Sequence, residues 1–249
     1  MTVYFVGAGP GAADLITVRG ARIIASSPVC LYAGSLVPRE LLATCPAEAK
    51  VVDSSRMTLD AIVAEMVDAS ARGEDVARVH SGDPSLYSAV AEQARRLDAA
   101  GVDYAIVPGV PSFAAASAAL KRELTVPEVS QTVVLTRIST LSTAMPEGED
   151  LATLARSRAT MVIHLGARQI DPIAVELAQH YGADCPVAVV AFASRDDETI
   201  VRGTLADIAA ATVAAGIVRT AVIVVGRVLA AEGFPDSFLY SSARRALDH

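Results

Sequence analysis

The chain has 249 residues, enough for one large or two modest domains that each bury a core. Its net charge of −7 at pH 7 argues against a nucleic-acid partner, which wants a basic stripe. The three cysteines form no CxxC pair and the four histidines lack ligand spacing, so reduced thiols and no metal site are expected.

Residues 3–6 read as a short buried strand that breaks into the loop Gly7-Ala8-Gly9-Pro10-Gly11. A glycine loop at the carboxyl end of a strand marks a ligand crevice in an open α/β sheet. Gly7-x-Gly9-x-x-Ala12 fits the relaxed dinucleotide fingerprint, but two details oppose that reading. Pro10 has no N–H to offer a pyrophosphate, and the next strand, 29–32, ends at Tyr32-Ala33 rather than in an acidic residue that holds a ribose. Between them a helix is expected to start near Thr17, its N-cap. The clearest helix is 58–73, with Thr58 as cap, Leu59, Ile62, Val63, Met66 and Val67 at helical spacing, and Gly73 as the stop. Residues 76–80 form a strand that breaks at Ser81-Gly82-Asp83-Pro84. A helix with Leu86, Val90, Ala94 and Leu97 inward follows, ended by Gly101. Residues 104–107 form another strand, terminating at Pro108-Gly109-Val110-Pro111.

This rhythm predicts a parallel sheet with helices on its faces. The carboxyl ends of parallel strands share one edge, so the loops 7–11, 81–84 and 108–112 are expected to converge on one crevice. A helical patch, 112–120, leads into a second half of different texture. Strands are expected at 132–137, 160–165, 187–192, 199–201 and 220–228, and helices near 151–157, 170–181 and 205–215. The polar stretch 194–198 makes a hairpin of 187–192 and 199–201, which implies a mixed sheet. The polar, proline-broken stretch 139–150 reads as a loop. Two α/β domains follow, the first with a mainly parallel sheet and the second with a mixed one. Their boundary lies within 110–131 and is placed between residues 115 and 116. Arg219 and Arg227 interrupt the apolar stretch 217–229, and no basic leader precedes the first strand, so a soluble, cytoplasmic protein is expected.

Taken together, these motifs resemble the tetrapyrrole methylases, which use S-adenosyl-L-methionine (SAM) to methylate porphyrinoid and corrin precursors. The likeness runs to about Arg227. It rests on Gly7–Gly11 with Leu15-Ile-Thr-Val-Arg-Gly20, Ser81-Gly-Asp-Pro84, Pro108-Gly-Val110, Arg202-Gly-Thr-Leu205 and Thr220-Ala-Val-Ile-Val-Val-Gly226. A finer likeness, to the members that methylate carbon 11 in vitamin B12 synthesis, rests on Tyr32-Ala-Gly-Ser-Leu-Val37, Glu123-Leu-Thr-Val-Pro-Glu-Val-Ser-Gln131 with Thr136-Arg137, and Ala193-Ser-Arg-Asp-Asp-Glu198. Whether the macrocycle is metal-free or holds cobalt stays open. Pro111 departs from relatives that carry a hydroxyl residue there, which leaves the cofactor's partner at that loop open.

The resemblance implies a homodimer with SAM in the cleft between the two domains. It implies cofactor contacts from Pro10, Ser81, Gly82, Asp83, Leu86, Ser112, Phe113, Leu165, Ala193, Thr220 and Ala221. Its substrate carries acetate and propionate groups, whose natural partners are arginines; Arg56, Arg122, Arg137, Arg195 and Arg219 are the candidates. Asp83, Tyr87, Glu123 and Glu128 are considered as a base, and none is assigned. Two rivals are an NAD-dependent oxidoreductase, which leaves the second and third loops unexplained, and a protein that binds SAM or a tetrapyrrole without turnover.

Overall fold

The computed structural model describes residues 1–139 and 144–236, so part of the expected loop 139–150 lies outside the described residues, as does His249. The chain divides into two compact units, Met1–Ala115 and Ala116–His249.

In the first unit, β1 (Val3–Gly7), β2 (Val29–Tyr32), β3 (Lys50–Asp53), β4 (Val76–His80) and β5 (Tyr104–Val107) form one sheet in the order β3-β2-β4-β1-β5. Every neighbouring pair is parallel. Helices α1 (Val18–Ser26), α2 (Arg39–Leu42), α3 (Leu59–Ala71) and α4 (Val90–Ala99) cover its faces, and α5 (Ser112–Leu120) carries the chain across the division. Ile24 of α1 and Leu41 of α2 pack with Val6, Ala77, Val79 and Val107. Ile62 and Met66 of α3 and Val90 and Leu97 of α4 pack on the other face with Phe5, Leu31 and Val76. Each such buried side chain contributes about 1.5–3 kcal/mol.

Both helix starts expected from threonine are present. Thr17 Oγ1 accepts from Gly20 N at 3.1 Å, and Thr58 Oγ1 from Ala61 N at 3.2 Å. Gly73, at φ +85°, ends α3: its N–H reaches Ser70 O at 3.0 Å, and Glu74 N reaches Ala69 O at 3.0 Å. Thr58→Ala removes the acceptor at the start of α3 and should cost about 1 kcal/mol, a fall of roughly 2–4 °C in a thermal melt. A melt identical to wild type would mean that water caps this helix equally well.

The helix after Ser81–Pro84 begins later than its apolar spacing suggests. Tyr87 and Ala89 stand at φ +54° and +51°, left-handed backbone that cannot continue an α-helix, so α4 starts at Val90. Leu86 is therefore a half-buried turn residue, not a member of the inward stripe. Gln93 takes a buried place beside Val90 and Leu97.

In the second unit, β6 (Val133–Arg137), β7 (Thr160–His164), β8 (Pro186–Ala191), β9 (Thr199–Thr204) and β10 (Ala221–Val225) run in the order β6-β7-β10-β8-β9. β6 and β7 are parallel and the other pairs antiparallel, so the sheet is mixed and β8–β9 is the expected hairpin. α6 (Leu151–Ala155), α7 (Ile170–Tyr181) and α8 (Ile208–Ala214) bury Ile173, Leu177 and Ile208 against Ile163, Val189 and Ile223. The last strand is shorter than the expected 220–228. It ends at Val225, and residues Arg227–Ala230 coil into a 3-10 turn. Among the described residues no helix is long and apolar enough to cross a membrane.

Candidate active site

The three glycine-bearing loops of the first unit follow the adjacent strands β4, β1 and β5, and their backbones are joined. Gly82 N donates to Gly9 O at 2.7 Å, and Gly9 N to Gly82 O at 3.2 Å. Ala8 N donates to His80 O at 2.8 Å, and Gly109 N to Asp83 Oδ2 at 2.7 Å. A Cβ on Gly7 would stand 2.6 Å from Gly109 Cα and 2.7 Å from Gly82 O, so Gly7 and Gly109 must be bare where the loops meet, while Gly82 is favoured by its left-handed φ of +67°. The predicted convergence is thus a set of direct backbone contacts.

Asp83 is central to it. Oδ1 accepts from Ser85 N at 2.8 Å and from Ser85 Oγ, while Oδ2 holds Gly109. Partial burial raises its pKa, but the Ser85 and Gly109 donors outweigh this and hold the carboxyl below the ordinary carboxylate value. Pro10, Ser81, Gly82 and Leu86 lie at the same edge, half-buried. Ser112 and Phe113 open α5. Pro111 just before them gives up an N–H that a helix start leaves unpaired anyway, and its carbonyl accepts from Ala114 N at 3.1 Å.

In the second unit, β10 runs antiparallel between β7 and β8, which brings its start beside their ends. Leu165, Ala193, Thr220 and Ala221 therefore share one edge of that sheet. The backbone there is strained. Leu165, Phe192, Ser194 and Thr220 all take left-handed φ, between +52° and +66°, although none is glycine or asparagine. Phe192 N donates to Thr220 O at 2.9 Å, which fixes two of these residues against each other. Leu165 is 64% exposed, an apolar side chain held out into solvent by a costly conformation. Nothing in the residue types of Phe192 or Ser194 signalled this strain.

Residues 2–209 match the family model of the Tetrapyrrole (Corrin/Porphyrin) Methylases. The chain belongs to that family. It is 70% identical over its full length to the precorrin-4 C(11)-methyltransferase of Rhodococcus erythropolis, all of which is covered. Its fold superposes with a TM-score of 0.89 on the structure of a cobalt precorrin-4 methyltransferase, at 41% identity over 92% of this chain and 95% of that one. A uroporphyrin-III C-methyltransferase from Thermus thermophilus, complexed with S-adenyl homocysteine, gives 0.77 at 27% identity over 92% of this chain and 99% of that one.

Four of the five arginines considered for this methylase's substrate lie at the loop-bearing edge of their own unit's sheet. Arg137 ends β6 level with His164, at the strained edge of the second sheet. Arg195 is at that edge too, its guanidinium 5.6 Å from the Phe192 ring centre and 3.3 Å from Asp197. Arg219 is exposed beside Thr220, and Arg56 is exposed just past β3, at the carboxyl edge of the first sheet. Arg122 is the exception. It donates to Ala231 O at 3.2 Å and lines a hollow with Pro186, Arg202 and Leu229, at the start of β8 rather than its end. Of the other residues considered as a base beside Asp83, Glu123 accepts from Thr125 Oγ1 at 3.1 Å, Glu128 is exposed, and Tyr87 is 46% exposed.

Proposed function

We propose that this chain is a SAM-dependent methyltransferase that methylates carbon 11 of precorrin-4 to give precorrin-5 in vitamin B12 synthesis. The observation that carries the reading is the 70% identity, end to end, to a precorrin-4 C(11)-methyltransferase. The lower identities to cobalt-precorrin-4 methyltransferases, 48% and 41%, favour the metal-free substrate. The proposed setting is the cytoplasm and the proposed assembly a homodimer, both on the family likeness.

The residues present suit the cofactor. The first unit offers glycine backbone that lets a ligand come close, with Ser81 and Asp83 as polar partners, and the second offers the out-held Leu165 with Ala193, Thr220 and Ala221. We assign its contacts to these residues with Pro10, Gly82, Leu86, Ser112 and Phe113. Bound there, SAM would supply an electrophilic methyl group whose leaving group, a neutral thioether, needs no protonation. What the chain must add is placement and exclusion of water rather than strong acid–base help. Asp83 keeps its negative charge at neutral pH and favours a positive centre near the loops, while the joined glycines fix the loops' spacing. Arg56, Arg137 and Arg195 are assigned to substrate carboxylates.

Isothermal titration with SAM, then mass spectrometry after incubation with precorrin-4 and cobalt-precorrin-4 in parallel, tests the reading. Micromolar binding and a one-methyl gain on precorrin-4 are expected. A gain only on the cobalt form would reassign the substrate, and no SAM binding would overturn the function.

A further inference from the structure

The middle residue of β4 is a buried guanidinium with no carboxylate partner among the described residues. Arg78 is 4% exposed, on a face otherwise built from Phe5, Leu31, Met66 and Val76. Its Nε donates to Gln93 Oε1 at 3.0 Å, and its Nη1 to Ser54 Oγ at 2.8 Å and Leu31 O at 3.5 Å. Those engage three of five N–H donors; the two on Nη2 meet no acceptor among the described residues. Burial pulls the pKa down to about 10, with an opposing effect from the Cys30 thiol, so the group is cationic at neutral pH. Its partners among the described residues are an amide, a hydroxyl and a carbonyl, none of them a carboxylate. A cation taken out of water with only neutral acceptors is costly, and its missing counter-ion is what a ligand can bring.

Register fixes where this cation points. Arg78 is level with Leu31 on β2, and Leu31 is level with Val52 on β3. Ser54 lies two residues beyond Val52, so a side chain that reaches Ser54 leans toward the carboxyl edge. Gln93 is in the first turn of α4, just after the β4 loop. His80, two residues on along the same face, is also 4% exposed, and its Nε2 has no hydrogen-bond partner. Burial, reinforced by the Arg78 charge, pushes the His80 pKa down to about 3, so the ring is neutral and with its proton on Nε2 is a further donor. The chain leaves β2 for α2 on one face and β4 for α4 on the other, the arrangement that opens a crevice beyond the ends of adjacent strands.

We propose that Arg78, with Ser54 and His80, seats a carboxylate of a bound ligand in the crevice between the ends of β2 and β4. The inference rests on the methyltransferase reading for its ligand, which brings two sources of that group. One is the carboxylate of the methionine moiety of SAM; the other is an acetate or propionate arm of the tetrapyrrole. Ser54 Oγ accepts from Nη1 and itself donates to Tyr32 O at 2.8 Å, which fixes the fork and leaves Nη2 for the ligand. Arg78 is thus a ligand-holding residue.

Arg78→Met tests this, with titration of SAM and of decarboxylated SAM and with KM and kcat for precorrin-4. If the methionine carboxylate is seated, SAM affinity falls about 10- to 100-fold while the decarboxylated form binds as it does to wild type. If a tetrapyrrole arm is seated, SAM affinity holds and KM for precorrin-4 rises by a similar factor. Equal losses for SAM and decarboxylated SAM would make Arg78 a structural tie and overturn the proposal, as would no change in either ligand. Arg78→Lys covers a folding failure of the methionine variant. It keeps the charge but cannot span Gln93, Ser54 and Leu31, so a seat predicts the same one-ligand pattern at reduced size, and a tie predicts none. Wild-type SAM binding and methyl gain are measured first; their failure sinks the methyltransferase reading, while an intact wild type with an indifferent Arg78 sinks only the seat.

Discussion

Gly109→Ala is expected to lower the melting temperature by roughly 5–10 °C and to weaken SAM binding beyond titration range. A Cβ at this position overlaps the Gly82 carbonyl oxygen and comes within 2.8 Å of Gly7 Cα. Both obstacles are backbone, so no rotamer change relieves them, and the β1, β4 and β5 loops must part. Overpacking of this kind costs about 1–3 kcal/mol and sometimes more. The loss of binding is the larger effect, since Gly82, Asp83 and Ser112 are proposed cofactor contacts and all depend on the spacing of those loops. Gly101→Ala is the control. Its φ is +67° but nothing lies within 4 Å of the new Cβ, so it should cost about 1–2 kcal/mol of backbone strain and leave SAM binding unchanged. Calorimetry and titration on the pair separate the effects. A Gly109→Ala protein that melts and binds like wild type would mean the loops do not rely on their close stacking.

Much of this edge was legible in the sequence because its signals are local. Val3–Gly7 and Val76–His80 are buried on both faces, so they read as apolar runs, and the glycine and proline breaks after them mark the strand ends. Thr17 and Thr58 announce α1 and α3 because a cap is a property of one residue and its next turn. What stayed hidden has no local signal. β3 is an edge strand with mostly exposed residues, so Lys50-Val-Val-Asp53 has no apolar face to see, and α2 is a single turn. The left-handed Tyr87 and Ala89 delay α4, and no residue type there foretells it. Leu165, Phe192, Ser194 and Thr220 likewise have ordinary side chains in an unusual backbone, imposed by the strands they join. Arg78 reads in sequence as one charge in Val-Ala-Arg-Val-His; that it is buried with no carboxylate partner among the described residues depends on β2, β3 and α4 closing around it.

Asp83→Ala should weaken SAM binding about 10- to 100-fold at neutral pH while costing the fold the carboxylate's ties to Ser85 and Gly109, about 1.5–3 kcal/mol. The carboxylate holds Gly109 N and Ser85 with charge-assisted bonds, so its loss frees the β5 loop and the turn before α4 together. Asp83→Asn separates charge from shape: its amide oxygen still accepts from one donor, and an intermediate affinity is expected. The pH dependence has a definite sign. The folded pKa lies below the unfolded one, so the stabilisation is complete above the unfolded carboxylate value of about 3.9 and disappears as pH falls through the lower folded value. From pH 8 to 5, therefore, wild-type affinity should not change through Asp83, and any loss in that window belongs to another group. Titrations at pH 7 and pH 5 on wild type, Asp83→Asn and Asp83→Ala read this directly. An alanine variant that binds SAM as tightly as wild type would remove Asp83 from the site and leave its carboxylate a turn-former before Pro84.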